Sequence, residues 1–203
     1  MGVIDYHGNL ESPGTFGVNT LVPPASRAAV GGADFMAAYV ARLKASNPLN
    51  VVVGAGDFVG ATPLISALFY DEPAVETLNK IGLEFNAVGN HEFDKGKDEL
   101  RRLQNGGCKI TNGAPDPNSC RGFGSAAPGS FDGARYKWLS ASVIETATGR
   151  TLLSPYGVKP RSARTTCSWT APTRRSWRPS MPTPKCATSS RRTRSLRRRW
   201  PMP

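Results

Sequence analysis

Two short apolar runs, each closing on glycine and then on a polar cluster, constrain most tightly what this chain can fold into. Asn50-Val51-Val52-Val53-Gly54-Ala55-Gly56-Asp57 reads as a buried strand that ends in a glycine turn and a carboxylate. Glu84-Phe85-Asn86-Ala87-Val88-Gly89-Asn90-His91 repeats the arrangement. Cys108-Lys109-Ile110-Thr111-Asn112 and the stretch from Leu139 to Ile144 are further strand candidates.

Helical patterns lie between the strands. From Asp34 to Leu43 the spacing places Phe35, Met36, Tyr39, Val40 and Leu43 on one face. A second helix is predicted from Pro73, a residue suited to a first helical turn, to Ile81. A charge-rich third runs from Gly96 to Gln104. Strands alternating with helices predict an α/β fold with a parallel sheet, in which ligands gather at the carboxyl ends of strands. Gly56-Asp57 and Gly89-Asn90-His91 stand at such ends.

Charge divides the chain in two. Residues 1–159 carry 14 Lys+Arg against 15 Asp+Glu, whereas residues 160–203 carry 12 Lys+Arg and no acid, so the net +11 belongs to the tail. The tail holds three of the four Trp, and Leu196 is its only aliphatic residue beyond Ala and Met. A segment so poor in aliphatics cannot bury a core, which places a boundary near residue 159 and predicts a disordered basic tail over 160–203. No apolar run approaches the roughly 18 residues of a membrane span, and no signal peptide is visible. The four cysteines include no close Cys-x-x-Cys pair, and with only two histidines a zinc finger is excluded. Cys108 and Cys120 bracket a Gly/Pro/Asn-rich loop, and two readings stay open for them: a disulfide in an oxidising compartment, or a pair of free thiols.

The polar clusters suit one chemistry. Asp5 and His7 stand two residues apart, so at the end of an extended strand both side chains point the same way, toward one ion. Asp57 adds a carboxylate whose two oxygens can bridge two cations, Asn90 a neutral carbonyl oxygen, and His91 a second imidazole. Mixed O/N ligands suit Mn, Fe, Zn and similar divalent ions. Two such ions about 3.5–4 Å apart clamp a phosphoryl group and activate a water. Any one of these short motifs is by itself better read as a turn or a cap. Their order, each at a strand end, is what points to a site.

Asp5-Tyr6-His7-Gly8-Asn9-Leu10-Glu11, Gly56-Asp57 and Gly89-Asn90-His91-Glu92-Phe93-Asp94 together resemble the calcineurin-like metallophosphoesterases, and within them the bacterial 5′-nucleotidase/UDP-sugar hydrolase branch. Gly60-Ala61-Thr62-Pro63-Leu64 and the stretch from Ala67 to Pro73 are similar to the same branch, and the likeness extends over about residues 4–159. The resemblance implies an α/β/β/α sandwich, of which the amino-terminal half is encoded here. It implies two divalent metal ions (Mn, Zn, Mg, Fe or Co), with Asp5 and His7 on the first, Asp57 bridging, and Asn90 on the second. His91 would contact the phosphate and stabilise developing charge, and Asp94 would orient His91 and keep it protonated. A competing reading makes Asp94 the N-cap of the helix from Gly96. Glu92 is expected to be solvent-exposed.

The implied activity is hydrolysis of a nucleotide phosphomonoester. The alternatives are 2′,3′-cyclic-nucleotide or UDP-sugar hydrolysis and, in another class, nonspecific nucleic-acid binding through the tail, with Arg on phosphates and Trp stacked on bases. The family completes its site with downstream histidines, but His7 and His91 are the only two here, so the second metal is expected to be held weakly and activity to be feeble. The family's intact members imply a periplasmic or extracellular location, whereas the visible start of this chain suggests a cytoplasmic one. Tyr156-Gly157-Val158-Lys159 resembles the entry to a family strand, after which the acid-free sequence begins. Loss of reading frame in GC-rich DNA is the favoured expectation for the origin of the tail, with a nucleic-acid arm as its rival.

Overall fold

The first strand, β1 (Gly2–Val3), pairs in parallel with β4 (Val53–Gly54), which pairs in parallel with β5 (Phe85–Ala87), which pairs in parallel with β8 (Lys137–Leu139). The computed structural model describes residues 1–16, 23–123, 127–161, 165–170 and 185–188. Its sheet order β1-β4-β5-β8 is that of an α/β fold, with the chain crossing over between strands through α1 (Gly32–Ser46), α3 (Glu72–Ile81) and α4 (Lys97–Asn105). Two small hairpins, β2 (Gly14–Thr15) with β3 (Ala29–Val30) and β6 (Ile110–Thr111) with β7 (Ala114–Pro115), decorate the connections, as does the single helical turn α2 (Leu64–Ala67).

The alternation of strand side chains separates two apolar layers. Val52 and Trp138 face one side, where they pack with Val40 of α1, Val75, Leu78 and Ile81 of α3, and Leu100 and Leu103 of α4. Val51, Val53, Phe85, Ala87 and Leu139 face the other. A second sheet, β9 (Tyr156–Arg161), β10 (Thr165–Thr170) and β11 (Lys185–Thr188), is antiparallel throughout. Its first strand meets that other face: a Cβ at Gly157 would strike the ring of Phe85, and Lys159 pairs with Glu84 beside it. The tail from 160 onward is described only where it forms these strands. Its remaining residues, and with them most of the Arg/Trp arm, lie outside the described residues.

Two expectations need correction, and one left open is settled. The strand candidate at Leu139–Ile144 is displaced toward the amino terminus: pairing with β5 ends at Leu139, and Ile144 makes only an isolated bridge with Thr151. On α1, Val40 is buried and Met36 packs against the core, but Phe35, Tyr39 and Leu43 are exposed, because the helix touches α3 along a narrower stripe than its apolar spacing suggests. The cysteine pair, left open by the sequence, is closed: Cys108 and Cys120 form a disulfide. The bridged loop is tied to α3 through Glu72, a fully buried carboxylate. Glu72 accepts hydrogen bonds from Cys120 N (2.7 Å), Ser119 Oγ (2.5 Å) and Arg102 Nη1 (2.8 Å). Among the described residues no helix is long and apolar enough to cross a membrane.

Candidate metal centre

The sheet order sets the site. Because β1, β4 and β5 are neighbours, the loops leaving their carboxyl ends lie side by side. The parallel pairing continues past the strands as backbone hydrogen bonds from Asp5 N to Gly56 O (3.3 Å), His7 N to Asp57 O (3.0 Å) and Gly8 N to Phe58 O (3.1 Å). Asp5, His7 and Asp57 each offer a ligand atom, and these atoms lie within 4.8 Å of one another.

The reason Asp5 and His7 converge differs from the expected one. Neither is extended: φ is +50° at Asp5, +45° at His7 and +58° at Asp57, so all three sit in the left-handed region. Non-glycine residues held there cost on the order of 1–3 kcal/mol each and persist only where the surroundings over-determine them. Here the cross-loop hydrogen bonds do so. The imidazole of His7 is oriented as well, with Nδ1 2.8 Å from Gly60 O. A carbonyl only accepts, so Nδ1 carries the proton and Nε2 is left as the free donor for an ion.

Close approach of the second and third loops depends on glycine. A Cβ at Gly89 would collide with the carboxylate of Asp57, and one at Gly56 would meet Gly89 N at 2.7 Å. With both absent, His91 N donates to Asp57 Oδ1 at 3.0 Å. Asn90, exposed at the head of the 3-10 turn His91–Phe93, is thereby held one residue from that contact.

His91 faces His7 across the site with ring centroids 5.0 Å apart. Its Nδ1 lies 2.9 Å from Asp94 Oδ2. This bond raises the His91 pKa above its usual value; slight burial opposes the rise, and the charges of Asp94, Asp57 and Glu92 add to it. The same bond lowers the pKa of Asp94. The rival N-cap role for Asp94 is not seen, because Gly96 occupies the N-cap of α4 and Asp94 closes the preceding turn.

Glu92 overturns its expectation. It is 3% exposed, and its carboxylate accepts four hydrogen bonds from beneath the loops. Oε2 takes Asp57 N (2.9 Å) and Gly89 N (2.6 Å), while Oε1 takes Phe58 N (2.9 Å) and Asn86 Nδ2 (3.3 Å). Burial raises its pKa, opposed by the backbone N–H groups of Phe58, Asp57 and Gly89. One signal for this was present in the sequence. Glu92 lies three residues after Gly89 at the start of a helical turn, the spacing at which a glutamate reaches back to a free N–H.

A further polar network braces the outer wall. Asp71, buried, accepts Thr62 Oγ1 (2.6 Å) and Ser66 Oγ (3.0 Å) on Oδ1, and Lys95 Nζ (2.9 Å) on Oδ2. It thereby couples the loop that carries Gly60 to the residue after Asp94. Two carboxylates and an imidazole Nε2, converging at strand ends, fit a divalent cation of the Mn/Fe/Zn type.

No family model matches the chain. It is 44% identical over 161 residues to an uncharacterised protein in the pqq-V 5′ region of Acinetobacter calcoaceticus, an alignment covering 76% of this chain and 74% of that one. It is 33% identical over 155 residues to endonuclease YhcR of Bacillus subtilis, covering 76% of this chain and 10% of the endonuclease. In three dimensions it is similar to the NAD nucleotidase of Haemophilus influenzae (TM-score 0.56, 20% identity, 85% of this chain and 25% of that one). It is also similar to a 5′-nucleotidase precursor of Thermus thermophilus (TM-score 0.53, 21% identity, 85% of this chain and 27% of that one). The chain thus spans about a quarter of the length of the solved structures it matches. With these relatives and the layered α/β fold in place, the motifs around Asp5, Asp57 and Asn90-His91 have their explanation: the chain belongs to the calcineurin-like metallophosphoesterases.

Proposed function

We propose that this chain binds divalent cations at Asp5, His7, Asp57 and Asn90 and hydrolyses phosphomonoesters of nucleotides, with His91 and Asp94 as the charge-stabilising pair. The observation that carries the reading is the convergence of the Asp5, His7 and Asp57 ligand atoms within 4.8 Å, beside an imidazole whose partner favours its cationic form. The names of the structural neighbours, an NAD nucleotidase and a 5′-nucleotidase precursor, support the nucleotide part of it.

Bound cations would supply Lewis acidity toward a phosphoryl oxygen and an activated water. The protein's own contribution is positional. Asp5 and His7 would hold one ion, with His7 presenting Nε2 because its Nδ1–H donates a hydrogen bond to Gly60 O. Asp57 keeps one face of its carboxylate on His91 N and turns the rest toward the cluster. Asn90, exposed at the head of the following turn, would offer a neutral oxygen. His91, whose bond to Asp94 favours its cationic form, would oppose the negative charge that grows on the phosphoryl group.

Among the described residues, Asp5, His7 and Asp57 would serve a first ion and Asp57 and Asn90 a second, so the second would be the weaker site. Purified chain is assayed with p-nitrophenyl phosphate, AMP, a 2′,3′-cyclic nucleotide and a UDP-sugar, each with Mn²⁺ and with EDTA. The reading expects Mn²⁺-dependent hydrolysis, fastest on the monoesters, that Asp57→Asn abolishes. Hydrolysis that is indifferent to EDTA and to Asp57→Asn overturns it.

A further inference from the structure

We infer that Glu92 is the positioning residue of this centre: its buried carboxylate sets the distance between the loop carrying Asp57 and the loop carrying Asn90 and His91. The inference rests on the metal-binding reading above and adds a residue that offers no atom to an ion.

The geometry is specific. Oε2 receives one N–H from each loop, Asp57 N at 2.9 Å and Gly89 N at 2.6 Å, so a single oxygen is the shared vertex of both. Oε1 receives Phe58 N at 2.9 Å and Asn86 Nδ2 at 3.3 Å, and Asn86 in turn accepts Gly56 N on Oδ1 at 3.1 Å. Three successive backbone N–H groups, of Gly56, Asp57 and Phe58, therefore turn inward onto two buried side chains. They form a concave nest around the left-handed Asp57, an arrangement that accepts negative charge. The lock is reciprocal, because His91 N donates back to Asp57 Oδ1 at 3.0 Å. Removing either side of this double clasp frees Asp57 from its strained backbone and the third loop from its register.

Only a carboxylate fits the role. Four donors require four acceptor positions on two oxygens, which an ionised Glu has. A glutamine of the same shape replaces one oxygen with an NH₂ that faces two N–H donors, whichever way the amide turns. An aspartate keeps the charge but falls one methylene short. Outer-shell partners of metal ligands typically govern affinity by about 10–100-fold, and that is the loss expected here.

The test separates positioning from general stability. Mn²⁺ alone is titrated into the full chain and its Glu92→Gln, Glu92→Asp and Glu72→Gln variants, with the free ion read by electron paramagnetic resonance and folding checked by circular dichroism. Glu72 is an equally buried, hydrogen-bonded carboxylate on α3 that anchors the disulfide loop, so it controls for the cost of breaking any such network. The inference expects Mn²⁺ affinity to fall about 10–100-fold in either Glu92 variant that folds and to stay unchanged in Glu72→Gln. Hydrogen exchange on the unmutated, metal-free chain should also show the amides of Asp57, Phe58 and Gly89 protected. Native-like Mn²⁺ affinity in a folded Glu92 variant, an equal loss in Glu72→Gln, or free exchange at those three amides each overturns the inference alone. Failure of the unmutated chain to bind Mn²⁺ overturns the metal-centre reading itself, and this inference with it.

Discussion

The imidazoles of His7 and His91 meet edge to face with centroids 5.0 Å apart, although 84 positions separate them in the chain. Each ring is tied at Nδ1 to a different partner, Gly60 O for His7 and the Asp94 carboxylate for His91. The carboxylate favours the cationic form of His91. In the proposed reading, His7 would ligate an ion through Nε2 and His91 would present a proton to an anion, within one site.

This division of labour predicts separable effects. His91→Ala should lower kcat on p-nitrophenyl phosphate about 10²–10³-fold, the usual cost of removing one donor to developing charge. Asp94→Asn should cost about tenfold, because the imidazole stays but loses its bias toward the cation. Mn²⁺ affinity, titrated separately, should be unchanged in both; a parallel loss of Mn²⁺ binding would place His91 among the ligands instead.

Gly89→Ala is expected to damage the site by contact alone. Gly89 does not lie among the positive-φ positions, so the new methyl brings no backbone penalty, yet it collides with the Asp57 carboxylate. The two loops must part, costing about 1–3 kcal/mol of stability. Mn²⁺ binding should be lost while the far-ultraviolet circular dichroism spectrum is retained.

Reducing the Cys108–Cys120 disulfide releases a loop whose ends are 12 residues apart. Loop entropy alone puts the loss at about 3 kcal/mol. Urea denaturation with and without dithiothreitol should show the midpoint fall, and Cys108→Ala/Cys120→Ala should reproduce the reduced value and be insensitive to reductant.

Glu99 should contribute an acid-sensitive part of the stability. Burial works to raise its pKa, but bonds to Arg102 (2.9 Å) and Lys109 (3.0 Å) outweigh that and hold it below the ordinary glutamate value. A carboxyl with a depressed folded pKa stabilises above its unfolded pKa, and the contribution is lost as pH falls through the folded value. Glu99→Gln should therefore destabilise at neutral pH, and the gap between variant and parent in urea midpoint should narrow as pH is taken below the glutamate range. A gap that stays constant with pH would count against the ion pairs as its source.

Some of this was legible locally. The valine run ending at Asp57 and the run ending at Asn90-His91 each signal a strand and a polar loop without reference to any other part of the chain, and β4 and β5 lie inside them. Pro73 and the apolar spacing after it mark α3 in the same way. Asp5 and His7 were identifiable as a pair, but strand alternation gave the wrong reason for their convergence: both occupy left-handed backbone imposed by hydrogen bonds to the neighbouring loop. The exposure of Phe35, Tyr39 and Leu43 was hidden because spacing specifies a helix face, and how much of that face is covered depends on the neighbour.

Glu92 marks the limit most clearly. Taken alone, a glutamate between His91 and Phe93 is best assigned to solvent, because burying a lone carboxylate is costly. That cost is offset only when donors from residues 57, 58, 86 and 89 arrive together. The sequence by itself determined which groups stand at the strand ends, in what order, and hence the family and the class of ion they suit. Only the tertiary structure decided that these loops adjoin, because the order β1-β4-β5 comes from pairing between distant segments. The same pairing turned a residue expected in water into the buried clasp between the two loops.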